Sequence, residues 1–575
     1  MDLSLRRTAP EDGGVWDAVL AGLQARAGWV RSSLRTITTE SEGDGVDAFL
    51  GYSIAPARRD LPLFPGPLGD ALRAVLPSFI EDRVTGARLR WTPESLRVDG
   101  EVTNRDLSTF RFDRIVRSPE DSLATAARAP LRTVTATAGV TLRPLESVVA
   151  EADLLSGRDL LEVEELAADA ESRELLDAAR RRMAGLDLGW EVDRHVRTRL
   201  AFQPRLADWA STSVQMTTIY YSERNSDLIG TRHTPGDTAL VLLRNLDGQR
   251  NFTAAFSLDP GRMGRNGGAR AAGWWTHLDP LRVTYTGGIT SRFNRDAVEP
   301  GTLYELGWGS RDDFLLIGAD SASTLSERDR VQIRGGVRLP GSTTIRTAYD
   351  RSLNQTLDTR SDREALQRVW PDLTGTVADL PLPSFFASAI TRLSLGSGYR
   401  RETRGLDFGA GNQQDRFRED HAVPLSLGLS LVSGVVVDYR GRLGWGESLD
   451  PTGDTKRRRD SHSLTATITT RSPVRAFRVR GAPLRITLSL RYLEDVQCRV
   501  TSRLSPCVAF IDELERDGSL SLDSTVRDYQ LGVRIRYLDR RSFVGQQAGS
   551  TQFQLNVFGQ FVLTSALLSN GAAGR

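Results

Sequence analysis

Five histidines and two cysteines carry most of the reactive potential of this 575-residue chain. His195, His233, His277, His421 and His462 never fall four apart, so no pair brings two imidazoles to one helix face as an H-x-x-x-H or H-E-x-x-H metal site requires. The stretch "RDSHS" sets Asp460 and His462 beside serines, but a nucleophilic triad is a geometry in space, not adjacency in sequence. There is no G-x-S-x-G elbow, no G-x-x-x-x-G-K-[ST] phosphate loop and no C-x-x-C pair. The sequence therefore predicts no enzyme, no cofactor and no metal site. Cys498 and Cys507 bracket "CRVTSRLSPC" between two strand-like stretches; in an oxidising compartment they close one hairpin loop as a disulfide, and otherwise they are two free thiols.

The elements around these residues carry more information. The 75 basic and 73 acidic residues leave a net charge of +2, so no basic field points to nucleic acid as a partner. Lys456 is the single lysine. A mean hydropathy of −0.32 has the polarity of a soluble protein. One membrane class escapes that inference, because in a transmembrane β-barrel only alternate residues face lipid and no long apolar run is needed. The opening "MDLSLRRTAPEDGG" has no apolar core of a secretory signal, which implies either a cytosolic protein or sequence continuing upstream of Met1.

Alternation with period two is the dominant pattern, in segments of about ten residues separated by Gly, Asp, Asn and Pro turns. "TVTATAGVTLR" sets Val134, Ala136, Ala138, Val140 and Leu142 against threonines and Arg143. "LRITLSLRY" sets Leu484, Ile486, Leu488, Leu490 and Tyr492 against Arg485, Thr487, Ser489 and Arg491. "DYQLGVRIRYLDR" sets Tyr529, Leu531, Val533, Ile535 and Tyr537 against Arg534 and Arg536. Such strands exceed the usual five or six residues and match the about 9 to 11 of a tilted membrane-spanning strand. The expected fold is all-β: a large antiparallel transmembrane β-barrel, or part of one, of roughly twenty strands with a small helical insertion. Arg485, Arg491, Arg534 and Arg536 are then the lumen-facing candidates. Tyr529, Tyr537 and Tyr492 are candidates for the lipid-facing aromatic girdle that marks the bilayer interfaces.

Three regions depart from the alternation. Residues 1–40 read as a short helical or irregular lead-in, with "GGVWDAVLAGLQARAGWV" a helix candidate, before first barrel strands over 41–150. Within 151–190, Leu160, Leu161, Val163, Leu166, Leu175, Leu176, Ala179 and Met183 recur at helical spacing, and Arg180, Arg181 and Arg182 precede Gly185, as a helix terminus favours. That insertion is expected as a plug, a periplasmic contact or the cover of an edge or pore wall. The main run of strands fills 191–575, interrupted near 353–383 by a long loop with a short helix, since "SDREALQRVWPDLTGTVADLPLP" is rich in Pro and Asp.

Several stretches resemble the SprA/Sov family, the outer-membrane translocon barrel of the type IX secretion system. They are "FPGPLGDALRAVLPSFIEDRVTGARLRWTPESLRVDGEVTNRDLSTFRF", "LRTVTATAGVTLRPLESVVAEADL", "RTRLAFQPRLADWASTSVQMTTIYYSERN" and "HAVPLSLGLSLVSGVVVDYRGR". The resemblance implies the C-terminal portion of a longer protein in the outer membrane of a Gram-negative-type bacterium. It implies a lumen that passes secreted cargo proteins, with plug and lipoprotein subunits as partners beside the lipid bilayer, in protein secretion and gliding motility. It transfers no functional residue. The chain departs from the family in its length and in its end "SALLSNGAAGR", which lacks a terminal aromatic. Two other readings accompany it: a porin-like or receptor-type barrel for small solutes, and a secreted all-β scaffold or adhesin whose apolar faces pack between two sheets.

Overall fold

A computed structural model describes the chain except residues 1, 7–21, 36–38, 57–58, 63–87, 112–126, 167–168, 184–185, 235–236, 267–271, 319, 359–360, 409–414, 452, 472–482, 501–505, 527–528, 545–548 and 562–575. The fold is all-β, a large antiparallel sheet of 23 strands with a few short helices. The chain divides into two compact units.

The first unit comprises 1–256, 285–329 and 355–361. Its strands pair antiparallel in chain order: Asp2–Arg6, Leu23–Arg35, Thr39–Ile54, Ser95–Arg111, Ala127–Leu145, Val148–Asp159, Leu186–Phe202 and Ala210–Thr234. The second comprises 257–284, 330–354 and 362–575. It runs the same way through Asp362–Val377, Ile390–Asp407, Arg416–Leu431, Val435–Asp450, Gly453–Arg471, Pro483–Val500, Val508–Val526, Tyr529–Ser542 and Gly549–Phe561. Sequential antiparallel pairing needs only short connections, and register is pinned because a one-residue slip would turn every apolar side chain to the wrong face.

Three expected boundaries need correction. The lead-in over 1–40 contains strands, not a helix, where it is described: Asp2–Arg6 and Leu23–Arg35. Ala25, Ala27 and Trp29 already alternate with Gln24, Arg26 and Gly28, and pairing with Thr39–Ile54 settles the choice against the helical propensity of Ala and Leu. The first part of that helix candidate, 13–21, lies outside the described residues. The long loop expected near 353–383 is mostly two strands, Thr343–Asp358 and Asp362–Val377, followed by the short helix Ser384–Ala387. Pro371 has no N–H to give a ladder, and it sits in a register irregularity between Val369 and Asp372, where no ladder bond is asked of it.

The helical insertion is shorter than 151–190. Val148–Asp159 and Leu186–Phe202 are strands, leaving helices Val163–Leu166 and Ala170–Ala179 between them. Asp169 caps the second helix, its carboxylate accepting from the Ser172 N–H at 2.8 Å. Val163 and Leu176 bury against Trp190 on the strand below, with Leu166, Ala179, Val192 and Leu242 around them.

Candidate functional site

In the second unit the strands separate two chemistries. On one face Leu427 and Tyr439 stand opposite each other, as do Tyr439 and Leu464, Ala466 and Leu488, and Leu488 and Leu520. The other face carries serines, threonines and ion pairs, because successive side chains project to opposite sides.

Aromatic and histidine rings interrupt the apolar face as it approaches the charged end of the strands. Tyr399 Oη lies 2.6 Å from His421 Nδ1, and the His421 ring stacks on Trp445 with centroids 5.3 Å apart and planes 9° from parallel. Further along, Tyr439 Oη lies 2.7 Å from His462 Nδ1, and His462 packs 6.0 Å from Tyr492, whose hydroxyl donates to Glu494 at 2.8 Å. Tyr537 stands opposite Gly518 and Phe553. Beyond these rings the same face turns charged, with Arg458 paired to Asp460 at 2.8 Å. Tyr492 and Tyr537 thus sit on one face, at the border between its apolar and charged stretches. Tyr529 opens its strand opposite Phe561, and its side chain lies outside the described part of the structure.

At the opposite ends of these strands the connection into Ile390–Asp407 exposes a tilted aromatic pair, and helix Ala272–Trp275, before Leu278–Asp296, carries a stacked one. Trp274 and Trp275 lie 4.0 Å apart by ring centroid, as do Phe385 and Phe386. Trp274, Phe385 and Phe386 are exposed.

The polar face is held by guanidinium–carboxylate pairs. Arg536 donates to both oxygens of Asp517, at 3.0 and 2.7 Å, and Arg491 is the cross-strand partner of the same aspartate. Arg485 stands opposite Asp523, and Arg534 opposite Ser521. The four arginines chosen from sequence therefore share one face. Further pairs on it include Arg457 with Asp495 at 2.7 Å, Arg418 with Asp420 at 2.7 Å and Arg540 with Glu515 at 2.9 Å. Toward the charged end, Arg404, Arg416 and Arg418 with Asp450 border a recess of about 470 Å³ that Leu366, Leu406 and Phe417 also line. Planar guanidinium forks hold carboxylates bidentately and keep such a wall both charged and ordered.

Cys498 and Cys507 are joined as a disulfide, their Cα atoms 5.3 Å apart, at the charged end. His462 is occupied by Tyr439 and Asp460 by Arg458, so "RDSHS" assembles no triad. Among the described residues there is no cluster of three metal-ligating side chains.

The first unit holds a feature that the sequence reading missed. Residues 297–323, between strands Leu278–Asp296 and Thr324–Leu339, fold back over the sheet with helices Thr302–Glu305 and Arg311–Leu315. Val298, Tyr304 and Phe314 bury against Val196, Tyr220, Leu246, Ile289 and Phe293. Polar contacts fix the docking: Thr218 Oγ1 donates to the Leu306 carbonyl at 2.8 Å, Arg194 to Glu305 at 2.8 Å, and Arg250 to the Gly309 carbonyl at 2.6 Å. Burial pushes the Tyr304 phenol well above its ordinary range. Gly307, at φ 68°, passes so close to Thr218 that a Cβ there would lie 2.5 Å from it. Two signals mark this excursion in the sequence: Pro300–Gly301 stops the alternation, and Ser310 with Asp313 forms a capping box.

Both insertions lie on the apolar face of the first unit. Leu154 pairs with Val196, and Leu200 and Phe202 share that face farther along, where Leu154, Leu200 and Phe202 are exposed. The opposite face carries Arg199 with Glu151 and Arg105 with Asp47. The helices of 163–179 thus pack on the sheet through Trp190, Val192 and Leu242.

No family model and no curated protein matches the chain. Among solved structures, it is similar to the ferric enterobactin receptor PfeA of Pseudomonas aeruginosa at 10% identity and a TM-score of 0.22, over 89% of this chain and 74% of that one. It is also similar to the siderophore receptor PirA of Acinetobacter baumannii at 8% identity and a TM-score of 0.21, over 89% of this chain and 76% of that one. Superpositions this partial assign no function.

Proposed function

We propose that the chain is an outer-membrane β-barrel transport protein of the porin or receptor kind, which offers polar solutes a hydrated path along its ion-paired face. The two-faced sheet carries this reading: an apolar face bounded by aromatic rings lies back to back with a face of paired arginines and carboxylates. In lipid every backbone polar group must be satisfied internally, which long antiparallel strands achieve once a sheet closes. No helix among the described residues is long and apolar enough to cross a membrane. From Leu484 to Tyr492 the apolar stretch runs about 26 Å along the strand at ~3.3 Å per residue, and a tilt of ~40° brings it close to 20 Å of bilayer. The aromatic pairs Trp274–Trp275 and Phe385–Phe386 suit the second interface, where amphipathic rings concentrate.

The paired charges favour small polar solutes over folded proteins as the passengers, since a face whose guanidiniums are locked to carboxylates presents fixed local fields at short range. The type IX translocon reading rests on the sequence resemblance alone. The test is expression in a Gram-negative host: the protein is expected to resist carbonate washing, to migrate in a heat-modifiable way, and to release small charged solutes from liposomes. Full solubility without detergent would refute the membrane reading. A membrane-embedded protein that passes no small solute would refute the porin-like one.

A further inference from the structure

The two insertions of the first unit and the sheet beneath them together line a cavity of about 520 Å³. Arg224 and Arg244 rise into it from the sheet, and Ala179, Val298 and Ile317 wall it from the insertions. Arg244 is only 9% exposed, and its Nε makes no hydrogen bond. Its guanidinium meets the Glu299 carboxylate at 3.5 Å, but that side chain is 89% exposed and reaches it from solvent. Asp320 also lines the cavity. The buried carboxylates nearby are committed elsewhere, because Glu191 and Glu305 both accept from Arg194 at 2.8 Å. A buried guanidinium with an unmet N–H is costly unless an anion completes its shell.

We propose that this cavity is an anion site that takes a phosphoryl group, held between Arg224 and Arg244. A tetrahedral phosphate offers enough acceptors for both guanidinium forks at once. Leu154, Leu200 and Phe202 are exposed on the same sheet face farther along. A lipid whose chains lie on that apolar stretch would place its phosphate at the arginines. This source of the phosphate rests on the membrane reading given above; the anion site itself does not.

The experiment is calorimetric titration of the full chain in a neutral detergent with three probes: dihexanoyl phosphatidic acid, dihexanoylglycerol and inorganic phosphate. Phosphatidic acid is expected to bind, dihexanoylglycerol not, and Arg244→Gln or Arg224→Gln to weaken binding at least tenfold, while Arg440→Gln on the second unit leaves it unchanged. Heat-modifiable migration of each sample reports folding, and the Arg224 variant keeps the test open if the more buried Arg244 change fails to fold. Inorganic phosphate binding as tightly as phosphatidic acid, with the same arginine dependence, supports the anion site and overturns the lipid source. No binding of either phosphate, or binding indifferent to both arginines, overturns the site. Arginine-dependent binding by a chain that is not membrane-embedded would sink the barrel reading and leave the site standing.

Discussion

Removing the Phe314 ring should loosen the second insertion without unfolding the sheet beneath it. Phe314 is fully buried, 5.3 Å by ring centroid from Tyr304, with the Arg250 guanidinium 5.3 Å over its face. Truncating a buried phenylalanine to alanine costs about 3 to 5 kcal/mol. The strands keep their own ladders, so the loss falls on the docking equilibrium of 297–323, where each 1.4 kcal/mol is about tenfold. Phe314→Ala should therefore raise the population of the undocked insertion roughly a hundredfold or more. Hydrogen exchange resolved by fragment reads this directly. Amides of Thr302–Leu315 should lose protection, and those of Pro483–Val526 should not. Phe314→Leu, which keeps much of the apolar volume, should give a smaller loss. Equal deprotection of both regions, or less than a tenfold change in the insertion, would refute the idea that this aromatic cluster holds it down.

Other changes act on separate parts of the molecule. Gly307→Ala should undock the same insertion by about 1 to 3 kcal/mol, since it meets both a left-handed backbone and the Thr218 side chain; the same exchange experiment checks it. Reducing Cys498–Cys507 reopens a ten-residue loop and should cost that end of the sheet about 2 to 3 kcal/mol, read as faster proteolytic nicking near 500–508 while heat-modifiable migration persists. Asp169 is held below its ordinary carboxyl value of 3.8 by its hydrogen bonds to the Ser172 side chain and backbone N–H. Its stabilisation of helix Ala170–Ala179 is thus fully present above that value and lost as the pH falls below it. Exchange of the helix amides should accelerate at pH 3 beyond the intrinsic rate, and Asp169→Asn should flatten that dependence.

The two-faced strands were plain in the sequence because alternation is a local property: Leu484 to Tyr492 carries its own face assignment whatever it pairs with. The shared face of Arg485, Arg491, Arg534 and Arg536 followed from the same period. What did not follow was partnership across strands. That Arg491 and Arg536 converge on Asp517 depends on a register set over many residues, and nothing near Asp517 in sequence announces it. The Pro-rich stretch around Trp370 misled because a proline absorbed at a register irregularity looks locally like a loop. The insertion at 297–323 was hidden for another reason: its anchors Val196, Tyr220, Leu246 and Phe293 sit on four separate strands, and each reads there as an ordinary apolar position.

The most direct test of the account places the same charge on the two sides of one strand. Leu488 lies on the apolar face opposite Ala466 and Leu520, and Ser489 on the polar face opposite Thr465 and Ser519. Reversible folding into lipid vesicles, followed by denaturant titration, compares Leu488→Arg with Ser489→Arg. A lipid-facing arginine at mid-depth costs about 2 to 4 kcal/mol, and one on a wetted face far less. That cost is expected for Leu488→Arg and little change for Ser489→Arg. Equal costs at the two positions, or folding that needs no lipid at all, would contradict it.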